Sequence, residues 1–177
     1  AFNMPISETN CVNCGQCAAI CPTGAITIKN DLDALWEDLY DDDTIVVAQI
    51  APAVRVALGD EFDIPKGTNV MGKIVSALRR MGFDEVYDTA TGADLTVIEE
   101  ARELMAKLEK GDNKLPLFTS CCPAWVRYAE INHPELLDNV SSCKSPMEML
   151  GSVLKERAKL NEKGKKPKKT KVVAIMP

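Results

Sequence analysis

The chain has 177 residues, 46% of them apolar, and a formal net charge of −5 at neutral pH. That is enough apolar content for one ordinary domain with a small appendage, and the negative balance argues against a nucleic-acid partner. No apolar run reaches the roughly 20 residues of a membrane span and no secretory leader is visible, so the expected setting is cytoplasmic, without membrane contact. Seven cysteines, an odd number with tight local spacing, suit metal ligation in a reducing compartment better than a disulfide framework.

Taken in order, residues 11–22 read Cys-Val-Asn-Cys-Gly-Gln-Cys-Ala-Ala-Ile-Cys-Pro. This C-x2-C-x2-C-x3-C-P run is the one that wraps a 4Fe–4S cluster. Cys11, Cys14 and Cys17 on a tight loop can reach three irons of one cubane, and Gly15 lets the backbone turn closely. Pro22 ends the loop and sends Cys21 elsewhere, in two-cluster ferredoxins to the second cluster. A zinc site would more usually show two separated C-x2-C pairs. A two-cluster module needs a second such run, which is expected upstream of Ala1. Ala25-Ile26-Thr27-Ile28 then reads as the closing strand of a partial ferredoxin-like module over residues 1–30.

Residues 31–43 carry Asp31, Asp33, Glu37, Asp38, Asp41, Asp42 and Asp43 and no base, while Leu32, Leu35, Trp36 and Leu39 recur at helical spacing. The segment reads as a connecting helix and acidic turn with a solvated face, or as a surface that steers a redox partner. From residue 44 to 177 the pattern becomes α/β. Ile45–Ile50 reads as a strand buried on both faces; helices follow around Val54–Leu58 and Val70–Leu78, then a strand at Glu85–Asp88. A long helix carries Val97 to Leu108 and ends at Gly111; Leu115–Phe118 reads as a third strand, 146–160 as a helix and Val172–Ile175 as a fourth strand. Such alternation implies a four-stranded, mainly parallel sheet flanked by helices, with ligands at the carboxyl ends of the strands. The basic span 161–171, with Gly164 and Pro167, reads as a mobile surface loop, with a docking patch for an acidic electron carrier as the sharper alternative. His133, the single histidine, precedes Pro134 and reads as structural.

The stretch Phe118-Thr119-Ser120-Cys121-Cys122-Pro123-Ala124-Trp125 reads as a strand-to-helix turn, with Pro123 near the first helical position. Consecutive side chains there point in different directions, so one thiol could bind a metal while its neighbour moves a proton. The positive end of a helix favours the ligating thiolate. The alternative is two small thiols packed as hydrophobes. On the later part of the long helix, Glu100, Glu103 and Lys107 share one face at i, i+3 and i+7, a pattern that usually marks a solvated face.

Cys11–Pro22, Ala51-Pro52-Ala53-Val54-Arg55, Thr119–Trp125, Ser145-Pro146 and Met176-Pro177 together cover nearly the whole length, and with them the chain resembles the FeFe-hydrogenases. The resemblance runs from the second half of a two-cluster ferredoxin domain into the first half of the catalytic domain. It implies reversible reduction of protons to hydrogen, with electrons relayed through 4Fe–4S clusters from a ferredoxin, another redox protein or subunit, or an NAD(P)-linked donor. It implies an H-cluster, a 4Fe–4S cubane linked through a thiolate to a diiron unit with CO, cyanide and a dithiolate bridge, installed by maturation factors. By resemblance Cys122 ligates the cubane and Cys121 exchanges protons with the bridge amine. Ala51, Pro52, Ser145 and Met147 lie around the diiron ligands, Met147 standing where many relatives carry Gln. Glu100, Ser141 and Glu103 relay protons to Cys121, with Lys107 where relatives often have Arg. A thiol suits the inner end, because its ordinary pKa of about 8.5 lets it both give and take a proton near neutrality. The family places three further cubane ligands beyond a Met-Pro pair, so the expectation is a hydrogenase fragment, inactive alone. The competing readings are a non-catalytic iron–sulfur assembly or sensory relative, which would not need the free thiol and acidic relay, and a plain electron-transfer module, which would leave Thr119–Trp125 without a purpose.

Overall fold

A computed structural model describes residues 3–111, 115–161 and 168–176. In chain order the helices are α1 (Gln16–Ile20), α2 (Leu32–Leu39), α3 (Val54–Ala57), α4 (Met71–Met81), α5 (Ala90–Glu109), α6 (Pro123–Asn132) and α7 (Pro146–Asn161). The strands are β1 (Thr44–Ile50), β2 (Glu85–Asp88) and β3 (Lys169–Ile175). The chain forms two units, one of Asp31–Ile98 with Lys144–Pro177 and one of Ala1–Asn30 with Glu99–Cys143. Gly164 and Pro167 of the basic stretch, and Pro177 of the Met-Pro pair, lie outside the described residues.

The first unit holds a parallel sheet of order β2-β1-β3. β1 is central because its β-branched, apolar run can be covered on both faces, as parallel sheets require. Val46, Ala48 and Ile50 face one side and pack with Val54, Ile74, Leu78 and Phe83, with Leu35 and Leu39 of α2 against them. Val47 faces the other side, against Leu150 and Leu154 of α7. Val46 and Ile50 are 1% and 0% exposed, so each contributes about 1.5–3 kcal/mol of burial.

The acidic segment is partly absorbed by this unit. Asp38 pairs with Lys171 at 2.9 Å and with Lys169 at 3.6 Å. Asp41 accepts the Thr44 hydroxyl at 2.6 Å and the Asp43 N–H at 3.0 Å, closing the turn into β1. The hydroxyl, then the N–H, holds the Asp41 carboxyl below its ordinary range. The lysines that the sequence places in a surface loop therefore begin β3. Lys169 to Lys171 pair with Thr44 to Val46, and the period of two sends both lysine side chains toward Asp38.

Two expected strands are not formed. The sheet has three strands rather than four, because Leu115–Phe118 is not one of them. Pro116 has no N–H for a ladder, and Phe118 makes instead a single parallel bridge with Val140. Its N–H donates to Asn139 O at 2.8 Å and its carbonyl accepts the Ser141 N–H at 2.7 Å. Ala25–Ile28 is likewise irregular. Gly24, at φ 65°, turns the chain, and the backbone N–H groups of Ala25 and Ile26 are directed to the Cys21 sulfur rather than to a neighbouring strand.

In the second unit a 3-10 turn, Ile6–Glu8, leads into the cysteine loop and α1. The later half of α5, α6 and the 3-10 turn Pro134–Asn139 make up the rest. Phe118 meets Trp125 of α6 edge-on at 5.8 Å, and Trp125 stacks on Tyr128 at 6.4 Å, which seats α6 beside the Phe118–Val140 bridge.

Candidate metal and proton-transfer site

The cysteine loop is shaped by backbone that few residues adopt. Asn13 and Gly15 stand at φ 56° and 77°, the left-handed region that Asn and Gly tolerate best. The Asn13 N–H donates to the Cys11 sulfur at 3.4 Å. The Cys21 thiol is lowered to about 7, first by the Thr23 hydroxyl and then by the N–H groups of Ile26, Thr23 and Ala25. None of the seven cysteines is in a disulfide. Among the described residues no three His, Cys, Asp or Glu side chains gather around one ion. A 4Fe–4S cluster takes one thiolate per iron, so its ligands stand around the cluster instead of converging on a point. Cys11, Cys14 and Cys17 on one loop, with Cys21 set apart and N–H groups already aimed at the sulfurs of Cys11 and Cys21, therefore fit ferredoxin-type clusters in donor chemistry, whereas a single-ion site is not formed among the described residues.

Cys122 is the N-cap of α6, in extended backbone, and Pro123 takes the first helical position, where its missing N–H costs nothing. Both Cys121 and Cys122 are exposed, so the packed-hydrophobe alternative does not apply. Asn139 Nδ2 donates to Pro116 O at 3.0 Å, and three further hydrogen bonds lace the segment before this pair to the segment around Ser141. They are Phe118 N–H to Asn139 O, Ser141 N–H to Phe118 O, and the Ser120 hydroxyl to Cys143 O at 2.8 Å.

Ser141 is 5% exposed. Its hydroxyl donates to Glu103 Oε2 at 2.7 Å and accepts the Cys143 N–H at 3.1 Å. Glu103 Oε1 accepts the Ser142 N–H at 3.4 Å and faces Lys107 Nζ at 4.0 Å. Lys107 also donates to Asp138 O at 3.4 Å. The helical face thus carries a half-buried carboxylate fixed on two sides. Glu100, one turn earlier, is half-buried, and its carboxylate makes no hydrogen bond or ion pair among the described residues. The structure brings Glu103, Ser141 and Lys107 together and leaves Glu100 apart from them.

Four of the expected site residues belong to the sheet unit. Ala51 is buried and Pro52 exposed, directly after β1. Ser145 precedes α7 and forms a capping box with Glu148. Its hydroxyl donates to Glu148 Oε2 at 3.1 Å and accepts the Glu148 N–H at 3.3 Å, while Glu148 Oε2 also accepts the Ser145 N–H at 3.2 Å. Sequence reasoning missed this box, although Ser-Pro-Met-Glu carries its signal. Met147, in the first turn of α7, is half-buried, and its carbonyl accepts from Gln49 Nε2 at 3.0 Å. Gln49 was also missed. Its signal is a lone polar residue inside a strand buried on both faces, where every polar group must find a partner. His133 meets Glu135 at 3.2 Å and the Tyr128 ring at 5.6 Å, both on the surface, consistent with a structural role.

Residues 44–177 match the family described as iron only hydrogenase large subunit, C-terminal domain, and residues 4–27 match the 4Fe-4S binding domain. The chain is 48% identical over 160 residues to the NADP-reducing hydrogenase subunit HndD of Solidesulfovibrio fructosivorans, covering 88% of this chain and 27% of that protein. It superposes on the FeFe-hydrogenase HydA1 from Chlamydomonas reinhardtii with a TM-score of 0.75 and 40% identity, over 84% of this chain and 38% of the other. Cytosolic iron-sulfur assembly component 3 of Mus musculus is 29% identical over 161 residues, 85% of this chain and 34% of that protein. The chain therefore spans between about a quarter and two fifths of the length of these relatives.

Proposed function

Because this chain belongs to the iron-only hydrogenase large-subunit family, we propose that the whole protein reversibly joins two protons and two electrons into H2. When bound, the 4Fe–4S clusters and the diiron unit of the H-cluster supply the electrons and the metal chemistry. Cys11, Cys14, Cys17 and Cys21 hold ferredoxin-type clusters, Cys21 turning toward a second one. Cys122 ligates the active-site cubane, and Ala51, Pro52, Ser145 and Met147 adjoin the diiron ligands. With the Ser145 hydroxyl committed to its capping box, its part there falls to the backbone and the methylene.

The chain's own task is the proton. Cys121 Sγ takes or gives it at the inner end. Ser141 Oγ hands a proton to Glu103 Oε2 along their 2.7 Å hydrogen bond as it receives one from the inner side. Lys107 holds the opposite carboxylate oxygen in place at the outer end, and Glu100 belongs to the same relay. The observation that carries this reading is the Ser141–Glu103 bond, in a segment laced by Ser120 and Phe118 to the one that bears Cys121. A cluster carrier has no use for such a pair, and the assembly relative is the more distant one, at 29% identity against 48%. Electrons come from a ferredoxin, another redox protein or a nicotinamide-linked subunit; HndD is NADP-reducing by name. Maturation factors install the diiron unit.

The test is a pair of substitutions in the full-length, matured enzyme. Cys121→Ser should remove most hydrogen turnover with iron content preserved, whereas Cys122→Ala should lower the iron content of the active site. Equal loss of iron in both would contradict the division of roles.

A further inference from the structure

We infer that Gln49 is a positioning residue, whose buried carboxamide fixes the first turn of α7 to the carboxyl end of β1 and the start of α5. This rests on the assignment of Ala51, Pro52, Ser145 and Met147 to the surroundings of the diiron ligands. Gln49 is the only polar side chain in the run Ile45–Ile50 and is 2% exposed. An amide buried so deeply persists only with its donors and acceptors engaged. Nε2 donates to the Met147 carbonyl at 3.0 Å, and Oε1 accepts the Thr89 hydroxyl at 3.3 Å. Thr89 is itself buried and donates its N–H to Ile50 O at 3.0 Å. The Ala51 N–H is bound to Ile175 O at 3.0 Å, so the end of β1 is fixed on both sides.

One amide thereby sets the register between two pairs of proposed cofactor neighbours, Ala51–Pro52 two residues along the strand and Ser145–Met147 at the helix. The contact beside it leaves no slack. A methyl group at Gly92 of α5 would lie 2.1 Å from Pro146 O, so α5 and α7 meet backbone to backbone and no side chain can absorb a shift of α7. Gln is the side chain that offers a donor to a carbonyl and an acceptor to a hydroxyl without a charge. An apolar residue at 49 would pack in the same strand but leave the Met147 carbonyl without its donor.

The inference is tested in the full-length, matured enzyme with Gln49→Met, of similar length, and with the double variant Gln49→Met/Thr89→Val, which also removes the orphaned hydroxyl. Iron content, thermal midpoint, hydrogen turnover and the infrared CO and cyanide stretching bands are measured together. The expected result is wild-type iron content in both variants, shifted or broadened bands, and turnover reduced about 10- to 100-fold, the usual effect of losing an outer-shell support. The double variant should recover part of the thermal midpoint, the Met147 carbonyl still lacking its donor, but not the bands. Wild-type bands and turnover in Gln49→Met would overturn the inference. So would bands that recover together with the midpoint, or loss of iron from both variants, since these indicate a plain core role. A matured wild-type enzyme without CO or cyanide bands would remove the hydrogenase reading itself, and this inference with it.

Discussion

Gly92→Ala is the substitution whose cost can be worked most directly from the structure. The added methyl carbon would stand 2.1 Å from Pro146 O, 3.0 Å from Pro146 C and 3.0 Å from Leu150 Cβ. Favourable carbon contacts begin near 3.5 Å, so α5 and α7 must part by about 1 Å. The obstacle is backbone, which cannot rotate aside as a flexible side chain would. Overpacking of this kind costs about 1–3 kcal/mol. Separation of the helices also strains the Gln49–Met147 hydrogen bond, worth about 1 kcal/mol. The better helix propensity of Ala returns about 1 kcal/mol. The net expectation is a loss of about 1–3 kcal/mol, which for a chain of this size lowers the thermal midpoint by about 2–12 °C. Two other helical glycines serve as controls under the same circular-dichroism melt. A methyl group added at Gly72 would have nothing within 4 Å, so Gly72→Ala should stabilise by about 0.5–1 kcal/mol. One added at Gly151 would meet Gln49 Nε2 at 3.7 Å and Val172 Cγ1 at 3.9 Å, ordinary contacts, so Gly151→Ala should be neutral or mildly stabilising. A Gly92→Ala chain that melts with the controls would refute the close approach of α5 and α7.

Two further predictions concern the sheet unit. The Asp41 carboxyl has a depressed folded-state pKa, so its contribution is present above the ordinary aspartate range and is lost as pH falls through the folded value. Asp41→Asn should therefore show a shallower loss of stability on acidification, measured as urea midpoints against pH; an unchanged acid limb would contradict it. Arg55 and Asp88 form an ion pair whose side chains are each 29% exposed, and Asp88 also accepts the Ala90 N–H at 2.9 Å at the start of α5. Arg55→Gln should cost about 1 kcal/mol, seen as a thermal midpoint lowered by about 2–4 °C, with the midpoint less salt-dependent than in the parent chain.

The elements that could be read from sequence are those specified by local signals. β1 declares itself by an apolar run broken only by Gln49, α4 by Val70, Ile74 and Leu78 at helical spacing, and α6 by Pro123 at its first position. Leu115–Phe118 misled because four residues of apolar character do not say which backbone they will meet. The missing N–H of Pro116 was the available warning, and the partner turned out to be Val140. β3 begins three residues before its apolar core, since Lys169 and Lys171 are held by Asp38, more than a hundred residues earlier in the chain. The site follows the same rule. The cysteine spacing announces a cluster by itself, as does the Ser145–Glu148 capping box its helix start. The Ser141–Glu103 and Gln49–Met147 bonds join residues 38 and 98 positions apart, and no local pattern marks such pairs. Ser141 was named only through the family resemblance, which also turned Glu103 from a residue of a helical face into a member of the relay, and Gln49 was not named as a site residue at all.

The proton route through the buried hydroxyl of Ser141 is the part of the account most open to direct measurement. In the full-length, matured enzyme with reductant in excess, hydrogen evolution should fall about 10²-fold or more in Ser141→Ala, the scale of a lost proton-transfer group, and recover largely in Ser141→Thr, which keeps the hydroxyl. Iron content should stay at the parent value in both. Undiminished turnover in the alanine variant, or a threonine variant no better than alanine, would contradict the proposed route.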